Sequence, residues 1–434
     1  MKVVGIIAEY NPFHNGHLYQ IEQVKKSGAD YIIVVMSGDF LQRGTPAILD
    51  KWTRARMALS SGADLVIELP AVFATASAQY FARGGISILD KLGVVDTISF
   101  GCETDNLPLL KEVSSFLWKE PSDYKNKLQS YLKNGKSFPK AREEAVTALL
   151  GPNAVAMVSS PNNILALEYC ISLLERGSSI QPMPILRKGN DYHEEDLQKD
   201  ALPSATAIRS QLKSYLSTAC IGAVNLDSIR VDSMNLASHT FNTTNLSNHL
   251  PKSVVSILNE NMDKLLLSQD SLSLLLKYKL LSTVNNLDIY ADVTSDLADK
   301  IRKNINNYEN ITQFMELLKS KDLTHTRINR ALTHILLDIT QNMYTDVKAQ
   351  DYAPYARVLG FHKRALPLLS EIGKKTYIPF ITKLANARAQ LSEHDYALLE
   401  HDIFCSHVYE SVIADKTGNA FQNEFTRQMI ILES

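Results

Sequence analysis

Apolar and polar positions in the first hundred residues alternate between two periods. Val3, Val4, Ile6 and Ile7 form a β-branched run that reads as a strand buried on both faces. Residues 31–36, 64–68 and 94–100 repeat that pattern. Between the runs the period lengthens. Leu18, Ile21 and Val24 share one helical face, with Gln20, Glu22 and Lys25 off it, and residues 51–60 and 76–92 also read as helices. Pro12 removes a ladder donor and pushes Asn11 to extended geometry, so the first strand must stop there. Strand and helix at this spacing predict an α/β fold with an N-terminal doubly wound parallel sheet.

Residues 104–150 read as a polar helical insertion, 164–174 as a further helix and 183–186 as a short strand. After about residue 235 the pattern changes. Segments 253–267, 272–283, 287–306, 311–318, 326–338 and 378–391 carry helical amphipathicity, with few β-type runs. The expected organisation is an α/β domain over 1–220 and a mostly α-helical C-terminal region over 235–434.

At 434 residues the chain has room for two or three domains and a substantial core. A net charge of −2 excludes global polycationic character, so any nucleic-acid surface must be a local patch. One such patch is legible: residues 301–390 hold 14 Lys and Arg against 7 Asp and Glu. There Arg327, Arg330 and His334 share a helical stripe, and Lys363 and Arg364 follow. Such a surface suits the phosphate backbone of a folded RNA. The basic run from Lys125 to Arg142 reads as solvated surface. Cys102, Cys170, Cys220 and Cys405 form no CxxC, which fits free thiols in a reducing cytoplasm. Glu9 and Asn11 end the first apolar run too early for a signal peptide, and no apolar stretch is long enough to cross a bilayer.

The candidate chemistry lies where the first strand hands over to the first helix. His14-Asn15-Gly16-His17 places two imidazoles three residues apart on a first helical turn, beside backbone N–H groups. Gly16 lets a bulky group approach the chain. Two imidazole donors at a helix N-terminus suit the α-phosphate of a nucleoside triphosphate, where charge develops in nucleotidyl transfer. Zinc is the weaker reading, since a helical metal pair favours i,i+4 spacing and a third ligand.

Around this pair the strand ends gather further groups. Asp39, after Gly38, either orients a ligand or water or caps the next segment. Arg43 in the 42–46 loop suits a carboxylate or phosphate. Lys51 and Arg54 read as a solvated helix face. Gly101 offers bare backbone to a nucleotide ring, and Asn162 is either a helix cap or a nucleotide contact. Ser204-Ala205-Thr206-Ala207-Ile208-Arg209 opens a helix with hydroxyls and an arginine one turn in, a second phosphate cradle.

His14-Asn15-Gly16-His17 after a buried strand resembles the HxGH signature of the HIGH-motif nucleotidyltransferase superfamily. The fuller string from Gly5 to Tyr19, with Ser37-Gly38-Asp39-Phe40 and Gln42-Arg43-Gly44, resembles the bacterial tRNA(Met) cytidine acetate ligase family. The segment 204–209 resembles that superfamily's ISSTxIR motif in part, with Pro203-Ser204 in place of its isoleucine–serine pair. The resemblance implies a HIGH-type, Rossmann-like ATP-binding domain over 1–220 and a tRNA-binding region over 235–434. It implies a catalytic His14, His17 and Asp39. The implied ATP site runs through Ile7, Ala8, Glu9, Tyr10, Asn11, Pro12, Phe13, His14, Asn15, Gly16, His17, Leu18, Tyr19 and Gln20, then Gly101, Asn162, Arg187, Lys188, Ser204, Thr206 and Arg209. Arg327, Arg330, Lys363 and Arg364 would meet tRNA.

The implied reaction activates acetate with ATP as acetyl-adenylate and acetylates N4 of the wobble cytidine of elongator tRNA(Met). Mg²⁺ would be held mainly by phosphates, with no protein metal site, no membrane and no protein partner. A small-molecule nucleotidyltransferase of cofactor synthesis is an alternative, but it leaves the helical half unexplained. A non-catalytic nucleotide-sensing RNA-binding protein is another, and intact His14 and His17 speak against it.

Overall fold

The computed structural model describes residues 1–187, 204–219, 245–320 and 323–433. Lys188, Cys220 and the stretch around the expected 220–235 boundary lie outside them. The β-branched runs become β1 (Val3–Ala8), β2 (Tyr31–Ser37), β3 (Leu65–Leu69) and β4 (Thr97–Cys102), joined by β5 (Gln181–Leu186). All five are parallel, in the order β5-β4-β1-β2-β3. β1 therefore has neighbours on both sides that follow it in sequence, which puts the crevice of an open α/β sheet at its carboxyl end.

Side-chain alternation along the strands builds two cores. Val3, Ile7, Ile33, Val35, Leu65 and Ile67 face one side, and Val4, Ile6, Ile32, Val34, Met36 and Val66 face the other. Each such side chain contributes about 1.5–3 kcal/mol on burial. α1 (Asn15–Lys26) and α2 (Lys51–Ser60) pack on the second face. The helix Ala78–Lys91 packs on the first, so closely that a Cβ at Gly5 would lie 2.7 Å from Leu89 Cδ1.

The C-terminal half does not stand apart from this sheet. β6 (Ala356–His362) pairs antiparallel with β3, and β7 (Phe380–Ile381) and β8 (Ile430–Leu432) pair parallel with β6. The remainder is largely helical, including His325–Leu336 and the 25-residue helix Glu393–Thr417. The segment 378–391, read as a helix, is β7 followed by a 3-10 stretch, Leu384–Ala389. Pro379 explains the difference, since it disfavours α geometry at Ile378 and cannot donate. Among the described residues no helix is long and apolar enough to cross a membrane.

Candidate active site

β1 ends at Ala8, and residues 9–14 carry the chain over the sheet rim into α1. His14 is the N-cap of α1, and it and His17 hold each other through backbone bonds. The Gly16 N–H donates to His14 Nδ1 at 3.0 Å, and the His14 N–H donates to His17 Nδ1 at 3.2 Å. The rings stack with centroids 3.7 Å apart, and Tyr10 and Phe13 flank His17 at 4.8 and 5.5 Å. An Nδ1 that accepts a backbone N–H carries no proton, so each neutral ring keeps its proton on Nε2. Burial, then His17, Arg187 and Arg209, hold His14 well below the usual histidine range. Burial, then Arg187, push His17 down to about 3. Both rings are thus neutral Nε2–H donors at physiological pH.

Several distant segments meet His14 and His17 in one cleft. From the first motif, Ile7, Ala8, Glu9, Tyr10, Asn11, Gly16, Tyr19 and Gln20 line it with the two histidines. Gly101, Asn162, Arg187, Ser204, Thr206 and Arg209 line it from the other segments. Arg209 donates to the Asn11 carbonyl at 2.9 Å and to Thr206 Oγ1 at 3.1 Å, tying the second phosphate-type motif to the first. Ser204 caps its helix, accepting from the Ala207 N–H at 3.0 Å. Two helix N-termini therefore meet in one cleft lined by Arg43, Arg187 and Arg209, an anion-favouring arrangement. Arg187 donates to Asn162 Oδ1 at 3.4 Å, and Asn162 itself bonds Glu103.

Other expected positions face elsewhere. Pro12, Phe13, Asn15 and Leu18 are not among the lining residues. Phe13 is fully buried in the second core and Leu18 packs against it. Asn15 donates to the Asn248 carbonyl at 2.9 Å. Asp39 also lies behind the cleft. It accepts the Lys51 N–H at 2.7 Å at the start of α2, whose N-cap is Asp50, and burial pushes its carboxyl up to about 6. Sequence reasoning missed the apolar wall of Phe81, Phe100, Leu165, Tyr169, Ile185 and Leu186. Phe100 and Leu186 directly flank Gly101 and Arg187 at strand ends, and that adjacency was the available signal.

Lys51 and Arg54, expected on a solvated face, are both 0% exposed. Arg54 donates to the carbonyls of Glu9, Ser37 and Gly38, gathering the ends of β1 and β2. Lys51 Nζ reaches Glu68 Oε1 at 2.7 Å, Ser406 Oγ at 2.7 Å and Glu424 Oε2 at 3.0 Å. Arg357 pairs with the same two glutamates. Carboxylates beside Lys51 and Arg357, and backbone carbonyls around Arg54, offset the cost of taking these cations out of water.

The expected tRNA residues are mostly engaged within the chain. Arg330 pairs with Asp292 at 2.7 Å, Lys363 with Glu433, and Arg364 with Asp64 at 2.6 Å. His334 leaves the basic stripe altogether: it is buried between the Ala291 and Thr75 carbonyls. The helix His325–Leu336 instead presses on the cleft's 41–45 loop, where Asn329 donates to the Arg43 carbonyl at 2.9 Å. Gly44 has φ +72°, and a Cβ there would lie 2.6 Å from the Arg330 backbone nitrogen.

A family model described as HIGH Nucleotidyl Transferase matches residues 1–424. A tRNA(Met) cytidine acetate ligase of Clostridium perfringens is 38% identical over 419 residues, covering 94% of this chain and 95% of that one. One from a Thermoanaerobacter species is 38% identical over 436 residues, covering 100% of both. The apo crystal structure of Thermotoga maritima TmcAL is 28% identical with a TM-score of 0.88, and covers 100% of both chains. The same protein bound with alpha-thio ATP is 27% identical with a TM-score of 0.85, again over 100% of both chains.

Proposed function

The chain belongs to the HIGH nucleotidyl transferases and, within them, to the tRNA(Met) cytidine acetate ligase family, and from that premise we propose how it works. It is an ATP-dependent ligase. An acetate oxygen attacks the α-phosphorus of ATP and pyrophosphate departs, leaving acetyl-adenylate. N4 of the wobble cytidine of elongator tRNA(Met) then attacks the acetyl carbon, and AMP departs.

One observation carries this reading. His14 and His17, locked by backbone bonds as neutral Nε2–H donors, share a cleft with Arg43, Arg187 and Arg209. Neutral donors fixed in place stabilise charge that builds on the α-phosphate without reorganising. Ser204, Thr206 and Arg209 at the second helix start suit the departing pyrophosphate. Arg43 suits the acetate carboxylate. Among the described residues no group of three or more His, Cys, Asp or Glu could hold a metal ion. Glu9 is the cleft's one carboxylate among its described lining residues. That donor set does not suit a resident cation, so Mg²⁺ would arrive on the triphosphate, held by phosphate oxygens. A cytoplasmic setting fits free cysteines and a tRNA substrate.

The test is isotopic. With ¹⁸O-labelled acetate, ATP and tRNA, one label must pass into AMP while pyrophosphate stays unlabelled and N4-acetylcytidine appears in the nucleoside digest. Acetylated tRNA alongside unlabelled AMP would sink the acyl-adenylate route.

A further inference from the structure

The cleft's lone described carboxylate sits oddly in a site built for phosphates. Glu9 follows the last residue of β1, the strand flanked by β4 and β2 at the sheet's crevice. Its backbone is pinned, because Arg54 donates to the Glu9 carbonyl at 2.6 Å. Its side chain is pinned at one oxygen, because the Gln42 N–H donates to Oε1 at 2.8 Å. No ion pair and no further hydrogen bond among the described residues engages its Oε2. The carboxylate is therefore held in position, with its second oxygen unengaged among the described residues, facing a cleft lined by three arginines. A fixed anion repels a triphosphate, so its chemical use lies elsewhere in the reaction.

We propose that Glu9 is the catalytic group of the second half-reaction, accepting a hydrogen bond from the acceptor's exocyclic amine and then taking its proton. This rests on the ligase reading above. A cytosine N4 lone pair is delocalised into its ring, so the amine attacks weakly and turns acidic as its bond to carbon forms. A carboxylate is the acceptor that matches a cytosine N4–H. In the step, the N4–acetyl carbon bond forms and the acetyl carbon–oxygen bond to AMP breaks. The N4 proton passes to Glu9 Oε2, and AMP leaves with the electron pair. Proton removal by a positioned side chain accounts for rate factors on the order of 10²–10⁴.

The test separates the two half-reactions in the full-length protein. Glu9→Gln keeps an oxygen for the Gln42 N–H but cannot take a proton. Acetate-dependent ATP–pyrophosphate exchange reports adenylation, and preformed acetyl-adenylate mixed with tRNA reports transfer. Transfer should fall at least about a hundredfold, and much further than exchange does. Glu9→Ala should lose transfer similarly and regain part of it as formate is added. Equal losses in both assays, or a raised KM for ATP, would assign Glu9 to nucleotide binding and overturn the proposal. Transfer at the parent rate in Glu9→Gln would also overturn it. If the parent catalyses neither exchange nor transfer, the ligase reading itself fails and this inference falls with it.

Discussion

Thr333 donates its hydroxyl to the Gly44 carbonyl at 2.6 Å. That bond ties a helix of the C-terminal half to the loop that carries Gln42 and Arg43 into the cleft, so the loop's shape depends on residues almost three hundred positions away. Thr333→Val would leave a buried carbonyl unpaired. It should cost about 1–3 kcal/mol in urea unfolding and raise the KM for acetate in the exchange assay. A variant with both values unchanged would show that the loop holds itself.

The basic helix face divides on the same geometry. Arg327→Glu should weaken tRNA binding and lower the salt slope by about one charge, with adenylation intact. Arg330→Glu would break the Asp292 pair and disturb the backbone against Gly44. It should lower exchange and tRNA binding together. Filter binding across a salt series, run beside exchange, distinguishes them, and identical behaviour of the two variants would refute the division.

Removal of either imidazole removes a preorganised donor. His14→Ala and His17→Ala should each cut adenylation by about a hundredfold or more while circular dichroism stays that of the parent. A folded variant with parental exchange would take its histidine out of the mechanism.

Burial of His14 also has a sign in pH. The folded chain keeps the ring neutral below pH 6.5 while the unfolded chain protonates it. The unfolded state then binds more protons, so stability is lost as pH falls below 6.5. Between pH 7 and pH 5 the parent should lose about 2 kcal/mol more than His14→Asn, which keeps an N-cap acceptor. Equal acid losses in urea titrations would mean the ring protonates freely in the fold.

Lys51 answers to two glutamates from opposite ends of the chain. Lys51→Ala strands both carboxylates beside Arg357 in a dry seam and should cost about 3–5 kcal/mol. A loss under about 1 kcal/mol would mean Arg357 alone balances them.

The parallel sheet was legible because β1 to β4 are nearly unbroken β-branched or apolar runs, and strands buried on both faces need that composition. The two helix-start motifs at 14–17 and 204–209 were legible because caps and helix starts are local, and the structure brings both into one cleft. What escaped depends on distant partners. The strand β6 was not assigned, and the charge of Arg357 in its middle is met by Glu68 and Glu424. The helix Glu393–Thr417 was not assigned, and its Asp402 is buried, held by the Ala71 N–H at 2.8 Å and the Tyr355 hydroxyl. Polarity alone predicts exposure, and only the fold shows which charges have company.

The pairing of β6 with β3 also sets an order of events on the ribosome. A nascent chain that has emerged only through residue 350 holds every strand of the parallel sheet, but β3 is then an open edge, a template for another chain. Lys51 has Glu68 but neither Glu424 nor the hydroxyl of Ser406. The half that holds the parallel sheet therefore cannot mature on its own as an early-folding N-terminal domain ordinarily does. It waits for roughly eighty more residues, and over that interval it is a natural client for chaperones.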